Sequence, residues 1–92
     1  MTHILRKTPK LLGRVRRIRG QVEGLERALE NGKDCAVVLQ QIAAVRGAIN
    51  GLMAEVLEDH IHMHVANPAI RSAAERTKGA EELIGVIRTY LK

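Results

Sequence analysis

The chain has 92 residues with one tyrosine, no phenylalanine and no tryptophan, so it makes one small domain (1–92) with a thin core of Leu, Ile, Val, Ala and Met; association through a second apolar face is the expected remedy. Its single cysteine excludes an intrachain disulfide and, within one chain, a bis-thiolate copper site or a four-cysteine zinc site, and a reduced cytoplasmic thiol is the simplest reading. Residues 1–22 hold Arg6, Lys7, Lys10, Arg14, Arg16, Arg17 and Arg19 with no acidic side chain, while residues 23–92 set eight basic against ten acidic groups, so the net charge of +5 is concentrated at one end.

Residues 1–8 read as an N-terminal arm that carries His3 and leads into the basic block. Thr8 and Pro9 have the character of an N-cap and first-turn pair, and Leu11, Val15, Ile18, Val22, Leu25 and Leu29 follow at alternating steps of four and three, a heptad seam. Asn31 and Gly32 suit a left-handed C-terminal cap, and Asp34 is placed to cap a second helix, which predicts a helical hairpin. That second helix is expected from about Cys35 to Val65, with Val38, Ile42, Val45, Ile49, Leu52 and Val56 keeping the same spacing until Asn67 and Pro68 stop it. A last helix is expected from about Gly79 to Leu91 on the amphipathic face of Ala80, Leu83, Ile84, Ile87, Tyr90 and Leu91, and residues 66–78 read either as a loop or as its early extension. No stretch reads as a strand, no uninterrupted apolar run reaches the roughly 18 residues needed to cross a bilayer, and no apolar leader is present, so an all-α cytoplasmic protein without a membrane partner is expected.

On the first helix Lys10, Arg14 and Arg17 form a stripe beside the apolar seam, Arg19 flanks its other side and Arg16 points away. A basic block on a nearly neutral body is the footprint of a polyanion partner, most often nucleic acid; a merely solvated helix face is the bland reading of the same charges. With no helix-turn-helix, zinc finger or ribbon motif and no aromatic rings for stacking on single strands, double-stranded DNA read through phosphates and duplex shape is favoured, and base readout by arginine stays open.

Cys35, His60 and His64 lie within roughly 20° of one direction on a continuous helix turning about 100° per residue, whereas His62 points roughly 180° away and is a bystander. The 25 residues from Cys35 to His60 span about 37 Å, so one chain cannot close these side chains around one ion. Two antiparallel copies can, with Cys35 of one meeting His60 and His64 of the other, which gives two equivalent sites per two-fold dimer. His60 and His64 are one turn apart, the usual way a helix offers two imidazoles to an ion, and a first-turn Cys35 gains thiolate character from unpaired backbone N–H groups. A partly exposed histidine pair and an inert small cysteine are the bland readings. His3, with the amino terminus nearby, supplies further nitrogen; one thiolate with several nitrogens suits cobalt or nickel at higher coordination number, and zinc at four. Gly47, Ala48 and Gly51 sit near the midpoint of the long helix, where small side chains admit either a two-fold crossing or close packing on the first helix.

The segments Arg14-Val-Arg-Arg-Ile-Arg-Gly-Gln21, Leu39-Gln-Gln-Ile-Ala-Ala-Val-Arg-Gly-Ala48 and Asn50-Gly-Leu-Met-Ala-Glu55, followed by His60, resemble the CsoR/RcnR family of bacterial metal- and formaldehyde-sensing repressors over most of residues 10–64. The resemblance implies a three-helix protomer, an antiparallel dimer with a four-helix core, and a homotetramer that is a dimer of dimers. It also implies a protein that binds operator DNA when ligand-free, through the basic first helix, and releases it when an inducer occupies an inter-subunit site containing Cys35. Residue by residue, His3, Cys35, His60 and His64 look like the ligand set of the nickel and cobalt branch. The copper branch would carry cysteine at position 64, and the formaldehyde branch typically carries proline at position 2 and an acidic residue at 64, where this chain has Thr2 and His64. A thiolate near a free amine nevertheless keeps the formaldehyde reading in view. Outside the family, the same residues allow a metal-buffering bundle or a general nucleoid-binding protein. No general base sits beside the candidate ligands, and no paired-carboxylate set is present, so an enzyme is not expected.

Overall fold

The computed structural model describes residues 8–91, which form three helices joined by short connections, with no strand among them. Helix α1 spans Thr8–Glu30, α2 spans Cys35–His64 and α3 spans Ala73–Tyr90. Among the described residues α1 runs from Thr8, and Pro9 lies in this first described turn, where a missing N–H is readily tolerated. At the other end Gly32 adopts φ 65°. Its N–H donates to Leu29 O at 3.2 Å, and the Lys33 N–H donates to Ala28 O at 3.0 Å. This pair of bonds is a Schellman cap, and it turns the chain out of α1 at the position where glycine carries no Cβ penalty.

Helix α2 then starts at Cys35, with Val38 N–H donating to the Asp34 carbonyl at 3.1 Å. It runs unbroken for 30 residues. By length and composition alone it is apolar enough to cross a membrane, although Gln40, Gln41, Arg46 and Asn50 interrupt every apolar run. It ends where the Val65 and Ala66 N–H groups both donate to Ile61 O. There the Asn67 side chain donates to Met63 O at 3.1 Å and accepts from Ala69 N–H at 3.0 Å, so one amide both caps the helix and forms the turn.

Helix α3 begins at Ala73, six residues before the expected start at Gly79. The cause is local. Ser72 is the N-cap in an extended conformation (φ −88°, ψ 124°), and its hydroxyl accepts the Glu75 N–H at 3.2 Å. The Ser-x-x-Glu spacing at 72–75 is a helix-start signal that overrides the apparent lack of apolar periodicity before residue 79. The early-extension reading of residues 73–78 is therefore correct, and only 65–72 connect the helices.

The described chain divides into two compact units, residues 8–54 and, beginning at Glu55, the remainder of α2 with α3. In the first, α1 and the start of α2 bury only Leu11 and Ala28 among apolar side chains, at 6% and 4% exposure. Alternate seam positions stay open: Val15, Val22, Leu29, Ile42 and Ile49 are all exposed, and Leu25, Ile42, Val45 and Ile49 line a shallow apolar groove. The heptad seam is thus half covered within one chain. In the second unit the fully buried side chain is Asp59, which carries polar or ionic partners rather than apolar isolation.

Replacing Ser72 with Ala removes the α3 cap and should lower unfolding free energy by about 1 kcal/mol. Urea denaturation should show a reduced midpoint at unchanged slope.

Candidate metal centre and nucleic-acid interface

The last turns of α2 bring two imidazoles together. His60 and His64 are both half-buried, their ring centroids are 4.9 Å apart and the planes are tilted by 50°. His62, between them in sequence, is exposed, as expected for the opposite face. The i, i+4 spacing alone produces this neighbourhood. What it does not produce is the orientation of the His60 ring, which comes from α3: His60 Nε2 lies 2.9 Å from the Gly79 carbonyl oxygen. A carbonyl oxygen only accepts, so Nε2 carries the hydrogen in this contact, and Nδ1 is the nitrogen that the contact leaves open. A histidine held through one nitrogen by a backbone carbonyl, with the other left basic, is the usual state of a metal-ligating imidazole.

The connection between α2 and α3 is held by Arg76. Its Nε donates to Val65 O at 3.1 Å and its Nη2 to Ile70 O at 2.7 Å, so one guanidinium satisfies carbonyls on both sides of the turn. Neither Arg76 nor Gly79 stands out in the sequence as a site residue. The Ser72 and Glu75 pair was the available signal that a helix, and hence a carbonyl-bearing backbone, would run past His60.

Cys35 is exposed, is not in a disulfide, and is the first residue of α2. It belongs to the first compact unit, and His60 and His64 belong to the second. His3 lies outside the described residues. Among the described residues no group of three or more His, Cys, Asp or Glu side chains is gathered to hold a metal within one chain. The donor set fits a borderline ion nonetheless, since two imidazoles and a thiolate are the ligands that zinc, cobalt and nickel share.

On the basic face Lys10, Arg16, Arg17 and Arg19 are exposed. Arg14 is half-buried, and a Cβ placed on Gly51 of α2 would stand 3.3 Å from its Nη1. Arg14, Arg17, Ile18, Gln21 and Ala48 line one hollow, so the stripe beside the apolar seam leans partly on α2. The small-residue cluster is divided accordingly. Gly51 gives room to Arg14 of the same chain, while the space beside Gly47 is open to 4 Å.

Residues 7–89 match the family described as metal-sensitive transcriptional repressor. Over the full length of both chains the sequence is 56% identical to a Serratia marcescens protein described as "Uncharacterized protein in bioA 5'region" and 40% identical to the transcriptional repressor RcnR of Salmonella paratyphi B. Among solved structures, a histidine-for-glutamate variant of the formaldehyde-responsive regulator FrmR from Salmonella enterica serovar Typhimurium matches with TM-score 0.84 and 47% identity, covering 97% of this chain and 99% of that one. The copper-sensing repressor CsoR with Cu(I) from Geobacillus thermodenitrificans matches with the same TM-score at 30% identity, covering 100% and 95%.

Replacing Arg76 with Met keeps the apolar stem but removes both carbonyl contacts. The expected result is faster amide exchange and proteolysis within residues 65–72 and a loss of about 1 kcal/mol in stability, read by hydrogen exchange and urea denaturation.

Proposed function

The chain belongs to the metal-sensitive transcriptional repressor family, and from that premise we propose a cytoplasmic repressor, residues 1–92 acting as one sensor domain, that holds operator DNA when ligand-free and is released by nickel or cobalt. The observation that carries this reading is the imidazole pair at the end of α2, with His60 pinned through Nε2 and its Nδ1 left as a donor. The gene so controlled would encode a metal efflux protein. Repressors of this family act by binding rather than by turnover.

The ligand set proposed is Cys35 of one copy with His60 and His64 of another, in an antiparallel dimer that pairs again into a tetramer. The exposed Val15, Val22, Leu29, Ile42 and Ile49 support association, because a contiguous apolar surface on so small a chain marks an interaction face. DNA is held by Lys10, Arg14, Arg16, Arg17 and Arg19. His3 adds a ligand when nickel or cobalt is bound, and ordering the arm at the site draws on α1, into which the arm leads. A coupling of about 1 to 3 kcal/mol between the two binding events is typical of such linkage. Zinc, satisfied by four ligands, leaves the arm free and is expected to bind without releasing DNA as effectively.

Copper is disfavoured because the chain has one cysteine and histidine at position 64. Formaldehyde is the second reading, favoured by the likeness to the FrmR variant and by the exposed Cys35. His64 and Thr2 favour the metal.

The deciding experiment is fluorescence anisotropy of reduced, metal-free protein on DNA from upstream of its own gene, titrated separately with cobalt, nickel, zinc, copper(I) and formaldehyde. Release by nickel or cobalt alone is expected, and release by formaldehyde alone would make Cys35 a nucleophile instead of a ligand. His3→Ala should keep metal-free DNA affinity but blunt release. Arg16→Ala, remote from the proposed ligands in sequence, should weaken DNA binding and flatten its salt dependence by about one unit of slope.

A further inference from the structure

We propose that Gly79 is a positioning residue for His60: by carrying no side chain it lets α3 approach α2 closely enough for its carbonyl to hold Nε2–H, which leaves Nδ1 as the nitrogen offered to a ligand. Gly79 is buried although it sits inside a helix of otherwise mostly exposed residues. A Cβ built there would collide with the carbonyl oxygen of His64 and stand 2.8 Å from its carbonyl carbon and 2.9 Å from its Cβ. The obstacle is therefore mainly backbone, which cannot swing aside as a flexible side chain would. Alanine at Gly79 must move the α3 axis away from the end of α2, and the 2.9 Å bond to His60 is the interaction that such a move breaks first.

Helix propensity does not account for the residue. Glycine inside a helix is less stable than alanine by roughly 0.5 to 1 kcal/mol, so Gly79 works against its own element. Gly85, in the same helix, has nothing within 4 Å of the position its Cβ would take. The two glycines thus separate a packing requirement from mere tolerance and provide a matched control. The contact joins both candidate histidines to one point of α3: Gly79 abuts the backbone of His64 and bonds the ring of His60. A displacement there changes the tautomer of His60 and the spacing of α3 from His64 together.

The inference deepens the metal reading, on which it relies for what Nδ1 does, but the tautomer can be measured without any metal. Long-range proton–nitrogen correlation spectra of the reduced, metal-free protein at about pH 8, where imidazole is neutral, give the tautomer of His60, with its signals assigned through His60→Gln. Wild-type and Gly85→Ala proteins should show His60 in the Nε2–H form. Gly79→Ala should lose that single tautomer while keeping its helical circular dichroism, and its cobalt affinity should fall about 10- to 100-fold, the usual loss when an outer-shell partner of a ligand is removed. A wild-type His60 in the Nδ1–H form, or in an even mixture, would overturn the proposal even if Gly79→Ala does not fold. So would a folded Gly79→Ala protein with unchanged tautomer and cobalt affinity. If wild type shows the tautomer but binds neither cobalt nor nickel, the metal reading fails and the placement of His60 by Gly79 stands.

Discussion

The rest of the molecule depends on the length of α2. Thirty residues of one chain are committed to this helix, its first part shares a compact unit with α1 alone, and the consequence is visible in the burial pattern. Val15, Val22 and Leu29 on α1 and Ile42 and Ile49 on α2, alternate positions of the seam, are left exposed, and just two apolar side chains, Leu11 and Ala28, are buried among the described residues. Apolar surface is worth roughly 25 cal/mol per Å² when removed from water, so an open seam of Val, Leu and Ile is a strong drive toward association. The same length keeps Cys35 in the first turn of α2 and the histidines in its last turns. In the proposed antiparallel dimer, association between copies and completion of the ligand set would be met by the same helix.

Within the second unit the decisive contact is steric before it is polar. The Ser72 cap starts α3 early, Arg76 ties the connection to the carbonyls of Val65 and Ile70, and Gly79 removes the atom that would hold the helices apart. Only then does the Gly79 carbonyl meet His60. Gly79 thus acts on the His60 ring without itself being one of the proposed ligands, as outer-shell groups do at metal sites generally.

The fold does not select the inducer. A formaldehyde-responsive regulator and a copper-sensing repressor superpose on this chain with the same TM-score of 0.84, so discrimination rests on a few side chains displayed on a shared scaffold. In the proposed site position 64 is central among them. Histidine there would add a borderline nitrogen donor one turn from His60, whereas a thiolate would favour softer ions and a carboxylate would supply oxygen. The basic face shows a comparable economy of position: Arg14 leans on α2 at Gly51, while Lys10, Arg16, Arg17 and Arg19 remain exposed to a polyanion. A half-buried arginine beside exposed ones links the proposed DNA-binding surface to the packing of the hairpin.

What the amino-acid order determined by itself is whatever depends on neighbours within about one or two turns. Pro9, the heptad spacing and the Asn31–Gly32 cap define α1; Asn67 ends α2; and the 3.6-residue period puts His60 and His64 on one side and His62 on the other. The start of α3 was equally local, carried by Ser72 and Glu75, and periodicity passed over it because residues 73–78 lack an apolar stripe. Tertiary structure alone decided which seam positions are covered, that Arg14 lies against Gly51, and that Gly79 abuts His64 and holds His60. The last contact joins residues 19 apart in sequence. Its occurrence depends on the axial separation of two helices, a quantity set by the side chains between them and absent from any local pattern.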